Sequence, residues 1–204
     1  GVCPLDSSEE EGNTCTATER QAVAQARAIV PKVKASLANS SGCFLGKDFT
    51  LDLIRPGVAL YGGNPLPGKP NPRRRGDREE GGVWQVRDVT KGEARGYNST
   101  GRGAGESKIA LLGAGYRDGI PRRMSSLFSG KAQVSINGQL CPIVGKVSMD
   151  MVAVDVTDVN VKRGDWAEFF GPHISLDDAA ASAGTISWEL LTHLGSRYEY
   201  KYIK

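Results

Sequence analysis

The sequence has few of the residues that build metal sites, disulfide frameworks or membrane spans. Its four cysteines stand far apart without a Cys-x-x-Cys pair, and only two histidines accompany them, which argues against structural zinc and against a dense disulfide network. The longest apolar runs, residues 109–112 and 152–154, are far shorter than the roughly 20 residues that a spanning helix needs. We therefore expect a chain without a metal or a membrane span, located in the reducing cytoplasm.

The sequence also lacks an excess of charge of one sign. The 26 basic and 23 acidic side chains give a net charge of +3, too even a balance for a surface that binds nucleic acid. Hydrophobic residues make up 39% and charged residues 24%, as in folded globular proteins. Gly1 is not preceded by an initiator Met, and no basic-then-apolar signal follows it. We expect an interrupted chain.

The first third of the sequence has an α/β pattern. Apolar residues at helical spacing predict a helix over residues 16–30, and a short strand is expected over residues 34–39. Residues 63–82 follow, with clustered prolines, several glycines and three consecutive arginines. This composition predicts an exposed linker and a domain boundary.

The remainder of the sequence is mainly β. Short β-like runs at 83–89, 108–113, 132–136, 140–156 and 166–170 are separated by turn signals such as Asn137-Gly138. They predict an antiparallel sheet or a small barrel. Two short helices are expected next, one beginning at Ser175 and one over residues 186–194, and then a half-buried strand over residues 197–203.

Residues 52–63 (DLIRPGVALYGG) place a single arginine, Arg55, inside an apolar, glycine-bearing turn. An arginine there needs a partner, which is either a structural carboxylate or a ligand. Residues 96–100 (GYNST), 115–119 (GYRDG) and 147–151 (VSMDM) are further distinctive segments, but each by itself is more typical of a turn or a core.

Together and in order, these segments resemble the fold-type III pyridoxal-phosphate alanine racemases. The matching stretches are 36–42 (SLANSSG), 52–63, 96–100, 115–122 (GYRDGIPR), 142–157 (PIVGKVSMDMVAVDVT) and 174–197. The resemblance implies an α/β barrel remnant followed by a mainly β C-terminal domain. Residues 1–62 would be the end of a (β/α)8 barrel, 63–82 the linker, and 83–204 the β domain. A homodimer with shared active sites is also implied.

The resemblance implies that pyridoxal 5'-phosphate is the cofactor. Ser40 would hydrogen-bond its phosphate, and the backbone amides of Gly57 and Val58 would cradle it. Arg55 would face the pyridine nitrogen. Trp188 stands where the family usually has a phosphate-binding tyrosine; an indole donates one hydrogen bond but accepts none.

For the reaction, the resemblance implies interconversion of L- and D-alanine by two-base proton transfer, in D-alanine biosynthesis for peptidoglycan of the cell wall. Tyr97 would be one base; holding a phenol as phenolate near neutral pH requires roughly 4 kcal/mol of stabilisation. The Met149 amide would bind the substrate carboxylate, and Asp150 would organise that loop. The residues expected to line the substrate entrance are Tyr116, Arg122, Lys146 and Ile186.

No lysine in the sequence matches the family motif that carries the cofactor's Schiff base. The isolated chain is therefore expected to be inactive unless the missing N-terminal barrel complements it. Two alternatives stay open. One is a catalytically silent relative that serves as a dimerisation or binding module, and the other is an enzyme of the same fold acting on serine or a basic amino acid.

Overall fold

The structure of the chain is a computed structural model that describes residues 14–66, 68–72, 76–90, 94–95, 101–102 and 106–202. The chain divides into two units, Gly1–Gly76 and Asp77–Lys204. No helix within the described ranges is both long and apolar enough to cross a bilayer.

The first unit contains two helices, α1 (Thr14–Ile29) and α2 (Lys47–Thr50), and two 3₁₀ turns, Gly42–Phe44 and Val58–Leu60. Helix α1 is present as predicted, although it begins two residues earlier. Val23 on this helix packs with the buried side chains of Leu37 and Phe49. The other apolar residues that predicted the helix are exposed, Ile29 by 81% and Val30 by 49%, so only part of the predicted apolar face contacts the small core.

The strand predicted over residues 34–39 is wrong. Only Ser36 pairs there, in an isolated parallel bridge to Leu53. A strand needs a neighbour along its length to satisfy its N–H and C=O groups, and the described part of this unit supplies that neighbour at a single position.

The second unit is built on a closed antiparallel barrel of six strands in the order β1-β4-β7-β6-β5-β8. A separate pair, β2 (Ala94–Arg95) and β3 (Gly101–Arg102), forms a small antiparallel sheet. The predicted run 140–156 is two strands joined by a turn. The barrel strands are β1 (Glu79–Val89), β4 (Ser107–Leu112), β5 (Gln133–Ile136), β6 (Gln139–Val144), β7 (Val152–Asp155) and β8 (Trp166–Phe170).

Strand β1 begins at Glu79, inside the segment predicted as linker. The glycines at 81 and 82 suggested a loop, but Gly81 serves packing: a Cβ atom there would lie 3.1 Å from both Ala114 and the Phe169 ring. The absence of a side chain thus allows a close approach inside the barrel, which composition does not reveal.

The barrel core is apolar, and alternate residues of each strand fill it. Phe169 and Ala167 of β8 are 1% and 0% exposed and belong to one cluster with side chains from the other five strands. The members contributed by the strands include Val83, Leu112, Val134, Ile136, Ile143, Val152 and Val154. This cluster is large enough to stabilise the second unit by burial of apolar surface.

Two short helices follow the barrel, as predicted. Helix α3 (Leu176–Ser182) begins after Ser175, whose Oγ accepts a hydrogen bond from the Asp178 N–H at 3.0 Å. Helix α4 (Ser187–Thr192) is shorter than the predicted segment 186–194.

The strand predicted at the C-terminal end is wrong. Residues 197–202 form no strand, and Tyr200 and Tyr202 are 61% and 93% exposed. The alternation of tyrosines with charged residues is present, but the barrel is closed by pairing of β8 with β1. A closed barrel has no free edge to which a further strand could add.

Candidate active site

Ser40 and Gly57, which are 17 positions apart, meet in the first unit. Ser40 is 4% exposed, and its Oγ accepts a hydrogen bond from the Gly57 N–H at 2.7 Å and a weaker one from the Ala59 N–H at 3.5 Å. Gly57 precedes the 3₁₀ turn Val58–Leu60. The two predicted phosphate-binding segments therefore lie together.

Ser40, Gly57 and Val58, here called the Ser40 cradle, retain two unused hydrogen-bond donors. The Ser40 hydroxyl accepts bonds but donates to no acceptor within the described ranges. Val58 is 2% exposed, and among the described residues its N–H likewise has no acceptor, although its carbonyl accepts from Tyr61 and Gly63. Donors that are buried without an acceptor are costly unless a ligand or water satisfies them. A hydroxyl and a backbone N–H without acceptors, on segments that a hydrogen bond joins, suit phosphate oxygens, so the residues present fit the phosphate of the predicted cofactor.

Arg55 lies beside the cradle. Its Nη1 donates to Ser36 Oγ at 2.5 Å and its Nη2 to the Leu37 carbonyl at 3.3 Å, while its own backbone N–H donates to the Ala38 carbonyl at 2.9 Å. No carboxylate forms an ion pair with Arg55 in the described part of the chain. The alternative in which a structural carboxylate pairs with this arginine has no support there, which leaves its charge available to a ligand.

In the second unit, two turns meet at one end of the barrel. The Tyr116 N–H donates to the Ser148 carbonyl at 3.0 Å and the Arg117 N–H to the Met149 carbonyl at 3.1 Å. A Cβ atom at Gly115 would lie 2.4 Å from the Met149 carbonyl oxygen, so only glycine allows this approach. The GYRDG and SMDM segments are thus a single structural feature, here called the paired turns (residues 115–119 and 148–151).

Met149 projects from the paired turns. Its side chain is 47% exposed, and its backbone N–H has no acceptor among the residues described. The turn around it is closed internally, because the Ser148 N–H donates to the Met151 carbonyl at 3.0 Å and the Met151 N–H donates to Ser148 Oγ at 3.1 Å. The free donor at Met149 can bind an anion.

A carboxylate and guanidinium cluster joins the paired turns to the C-terminal segment. Arg197 binds Asp118 with two donors, Nε to Oδ1 and Nη2 to Oδ2, both at 2.6 Å. Its Nη1 donates to Asp150 Oδ1 at 2.8 Å. The hydrogen bonds to Asp118 are the main cause that raises the pKa of the Arg197 guanidinium. Asp118, which is 5% exposed, also accepts from the Gly115 N–H at 2.9 Å.

The four predicted entrance residues all lie in the second unit. Tyr116 and Ile186 are exposed, at 44% and 60%, and Arg122 is also exposed. Lys146 is half-buried and precedes Val147, whose N–H donates to Ser125 Oγ at 2.9 Å. Ser125 in turn donates from the same oxygen to the Arg122 carbonyl at 2.6 Å, so the chain around Lys146 and the chain around Arg122 are linked. Tyr116 belongs to the paired turns.

Two predicted residues are not joined to these groups. Tyr97 lies outside the described residues, between β2 and β3 in the sequence. Trp188 lies on α4 in the second unit and is 39% exposed. No group of three or more His, Cys, Asp or Glu side chains that could hold a metal ion occurs in the described ranges.

A second polar pair, which no sequence pattern indicated, lies next to the Arg197 cluster. The Tyr198 hydroxyl donates to Glu79 Oε1, and Glu79 is 8% exposed. Burial raises the pKa of Glu79 to about 7; the hydrogen bond from Tyr198 opposes this rise and the charge of Asp118 adds to it. Burial also raises the pKa of Tyr198. In the sequence Glu79 lies inside the segment predicted as linker, so no pattern distinguished it from other charged residues.

Both units match domains of one class of protein, the amino-acid racemases. Residues 79–202 match the family model "Alanine racemase, C-terminal domain", and residues 4–65 match "Alanine racemase, N-terminal domain". An alanine racemase of Methylobacterium nodulans is 43% identical over 203 residues, which are 98% of this chain and 54% of that protein. One from Rhodospirillum rubrum is 41% identical over 97% of this chain and 53% of its own length.

Solved structures agree with these matches. The alanine racemase of Bartonella henselae with covalently bound pyridoxal phosphate has a TM-score of 0.85 and 40% identity, covering 97% of this chain and 55% of that one. The alanine racemase of Acinetobacter baumannii has a TM-score of 0.78 and 33% identity, covering 93% and 53%. The chain belongs to the alanine racemase family. It spans about half the length of the relatives it matches.

Proposed function

We propose that this chain forms the C-terminal part of an alanine racemase, an isomerase that interconverts L- and D-alanine. In this proposal, residues 1–62 are the end of a (β/α)8 barrel, and the residues from strand β1 (Glu79–Val89) onward form the β domain, so the linker expected over residues 63–82 ends before Glu79. The completed enzyme is a cytoplasmic homodimer with shared active sites, and it supplies D-alanine for peptidoglycan synthesis in the cell wall. The family matches at residues 4–65 and 79–202 support this arrangement.

The observation that carries the proposal is the Ser40 cradle. A buried serine hydroxyl and the Val58 N–H both lack acceptors in the described ranges, and Gly57 holds the serine in place. Two unused donors on segments joined by the Ser40–Gly57 hydrogen bond favour a phosphate ligand, and pyridoxal 5'-phosphate carries one. Met149 offers a third free donor, its backbone N–H, in the second unit, which suits the carboxylate of an amino acid. Donors for both anionic groups of the reaction are thus present in this chain.

When bound, pyridoxal 5'-phosphate withdraws electrons from the substrate's α-carbon and so acidifies its α-proton. Ser40, Gly57 and Val58 would hold the phosphate, Trp188 would be a further donor, and Arg55 would hydrogen-bond the pyridine nitrogen. The guanidinium stays charged and therefore disfavours protonation of that nitrogen.

Proton transfer in the proposal uses two bases on opposite faces of the α-carbon. The phenol oxygen of Tyr97 takes or returns the proton on one face. The other base is a lysine of the N-terminal part, since no lysine in this sequence matches the family motif. The Met149 N–H orients the substrate carboxylate, and Asp150 organises its turn. The entrance is lined by Tyr116, Arg122, Lys146 and Ile186.

A second candidate function is a catalytically silent dimerisation or binding module. One observation favours it: Trp188 stands where the family usually has a tyrosine. The two candidates differ in cofactor binding, because a silent module has no need of an occupied cradle.

The test is complementation. The 204-residue chain is combined with the N-terminal part of a family member that carries the cofactor lysine, and racemisation of L-alanine is followed by formation of D-alanine. We expect no activity from the chain alone and activity from the combination. Tyr97→Phe should lower kcat by about 10²- to 10⁴-fold, the usual contribution of a general base, while cofactor absorbance remains.

The matched control is Tyr200→Phe, which changes an exposed tyrosine; it should leave kcat unchanged. Ser40→Ala should weaken cofactor binding with kcat at saturating cofactor largely retained. Full racemisation by the Tyr97→Phe combination would contradict the assigned base. A combination that binds no cofactor and racemises neither alanine, serine nor a basic amino acid would support the module instead.

A further inference from the structure

Arg197 is the only side chain in the described ranges that binds carboxylates of both paired turns. Two of its donors reach Asp118 at 2.6 Å and a third reaches Asp150 at 2.8 Å. Asp118 lies in the 115–119 turn, and Asp150 follows Met149 directly in the 148–151 turn. The guanidinium therefore links the 115–119 turn to the turn that carries Met149 and its backbone N–H.

The turn at 148–151 is closed by its own hydrogen bonds but needs external contacts to fix its direction. Its described external contacts include the N–H groups of Tyr116 and Arg117, which donate to the Ser148 and Met149 carbonyls at 3.0 and 3.1 Å, and the arm from Arg197 to Asp150. The two backbone contacts restrain the turn on the N-terminal side of Asp150. The Arg197 contact restrains it at Asp150 itself, on the other side of the Met149 N–H.

We propose that Arg197 is a positioning residue that holds the Met149 N–H in the orientation required to bind the substrate carboxylate. This inference rests on the proposed function, because that function assigns the carboxylate to Met149. Arg197 touches neither substrate nor cofactor in the proposal; it acts through Asp118 and Asp150.

The chemistry requires arginine in particular. A planar guanidinium presents donors in a fixed fork, so it binds one carboxylate at two points and a second carboxylate with its remaining nitrogen. A lysine ammonium is one nitrogen atom and cannot reproduce the two-point contact to Asp118. Arg197→Lys should therefore retain the charge and lose the orientation.

A purely structural role makes a different prediction. The side chains of Arg197 and Asp150 are 40% and 42% exposed, whereas that of Asp118 is 7% exposed. Exposed ion pairs contribute little to stability, so the Asp150 arm matters little to the fold. Asp150→Ala keeps the Arg197–Asp118 pair and should leave the melting temperature nearly unchanged while it disturbs the turn.

The first experiment uses the 204-residue chain. Amide hydrogen exchange of the Arg117 N–H reports the contact between the paired turns. We expect exchange to be faster by about tenfold in Asp150→Ala and in Arg197→Ala, and unchanged in Arg163→Ala, which removes an exposed arginine from a remote turn. Equal exchange rates in all variants would overturn the positioning role.

The second experiment uses the enzyme completed with the N-terminal part. Because the Met149 N–H binds the carboxylate in ground and transition states alike, Arg197→Ala and Asp150→Ala should raise KM for alanine by about 10- to 100-fold with kcat little changed. Added guanidinium ion should lower KM again in Arg197→Ala, and ammonium ion should not.

The two proposals fail differently. A completed wild type without racemase activity refutes the proposed function, and with it the substrate role of the turn. An active wild type whose Arg197→Ala variant keeps its KM, or loses kcat with KM unchanged, refutes the positioning role and leaves the proposed function intact.

Discussion

Replacing Glu79 with glutamine should make the second unit more stable at neutral and alkaline pH. Glu79 is buried in the barrel wall and accepts a hydrogen bond from the Tyr198 hydroxyl. Burial raises the pKa of this carboxyl from its ordinary value of 4.5 to about 7. In the folded state the group therefore remains protonated in a pH range where the unfolded chain has already released the proton.

The sign follows from proton binding. Between pH 4.5 and about 7 the unfolded chain binds fewer protons at this site than the folded chain, so the free energy of unfolding falls as pH rises. The contribution of Glu79 is fully present below pH 4.5 and is lost by about pH 7. At about 1.36 kcal/mol for each unit of pKa, the total loss is about 3 kcal/mol. Glutamine resembles the protonated acid in size and stays neutral throughout.

The assay is denaturant unfolding, followed by tryptophan fluorescence, of the wild type and Glu79→Gln at a series of pH values. The two should have similar stability near pH 4.5, and the variant should be more stable by about 3 kcal/mol above neutral pH. Tyr198→Phe removes the hydrogen bond that lowers the pKa of Glu79, so the fall in stability should extend to higher pH. A difference between wild type and Glu79→Gln that is constant across the series would refute the reasoning.

Two further substitutions test the packing of the second unit. Gly115→Ala should destabilise it by about 1 to 3 kcal/mol, because the new methyl group would lie 2.4 Å from the Met149 carbonyl oxygen, whereas Gly82→Ala, with nothing within 4 Å, is the matched control; equal melting temperatures for the two variants would contradict the close approach. Ser175→Ala should cost about 1 kcal/mol because it removes the cap bond from the Asp178 N–H, and Ser175→Asp should restore most of the melting temperature.

Local chemistry in the sequence was sufficient for several elements. The Ser175 cap specified the start of α3, and β8 (Trp166–Phe170) lies where its apolar run predicts it. The Asn137-Gly138 turn between β5 and β6 was identified from its residue types, and both residues have positive φ in the structure. Such features depend on neighbours within a few positions, so a sequence pattern contains their cause.

The errors arose where distant segments decide the outcome. Strand β1 begins at Glu79 because its first four residues pair with β8, Glu79 lying opposite Phe170, a contact between residues far apart in the chain. The tyrosine alternation near the C-terminus forms no strand because the barrel is already closed by β8 and β1. A segment with strand propensity forms a strand only where a sheet offers it an unpaired edge.

In the candidate site, too, some features follow from the sequence and others depend on contacts between distant segments. The motifs in the sequence identified Ser40, Gly57 and Met149 as a set, and the fold then placed Ser40 Oγ 2.7 Å from the Gly57 N–H. The sequence by itself determined the family, the composition of the core and the residue types for binding anions. Only the tertiary structure decided that Asp118 and Arg197, 79 positions apart, form an ion pair. Such a contact depends on how the barrel closes, so no periodic pattern or fixed spacing in the sequence predicts it.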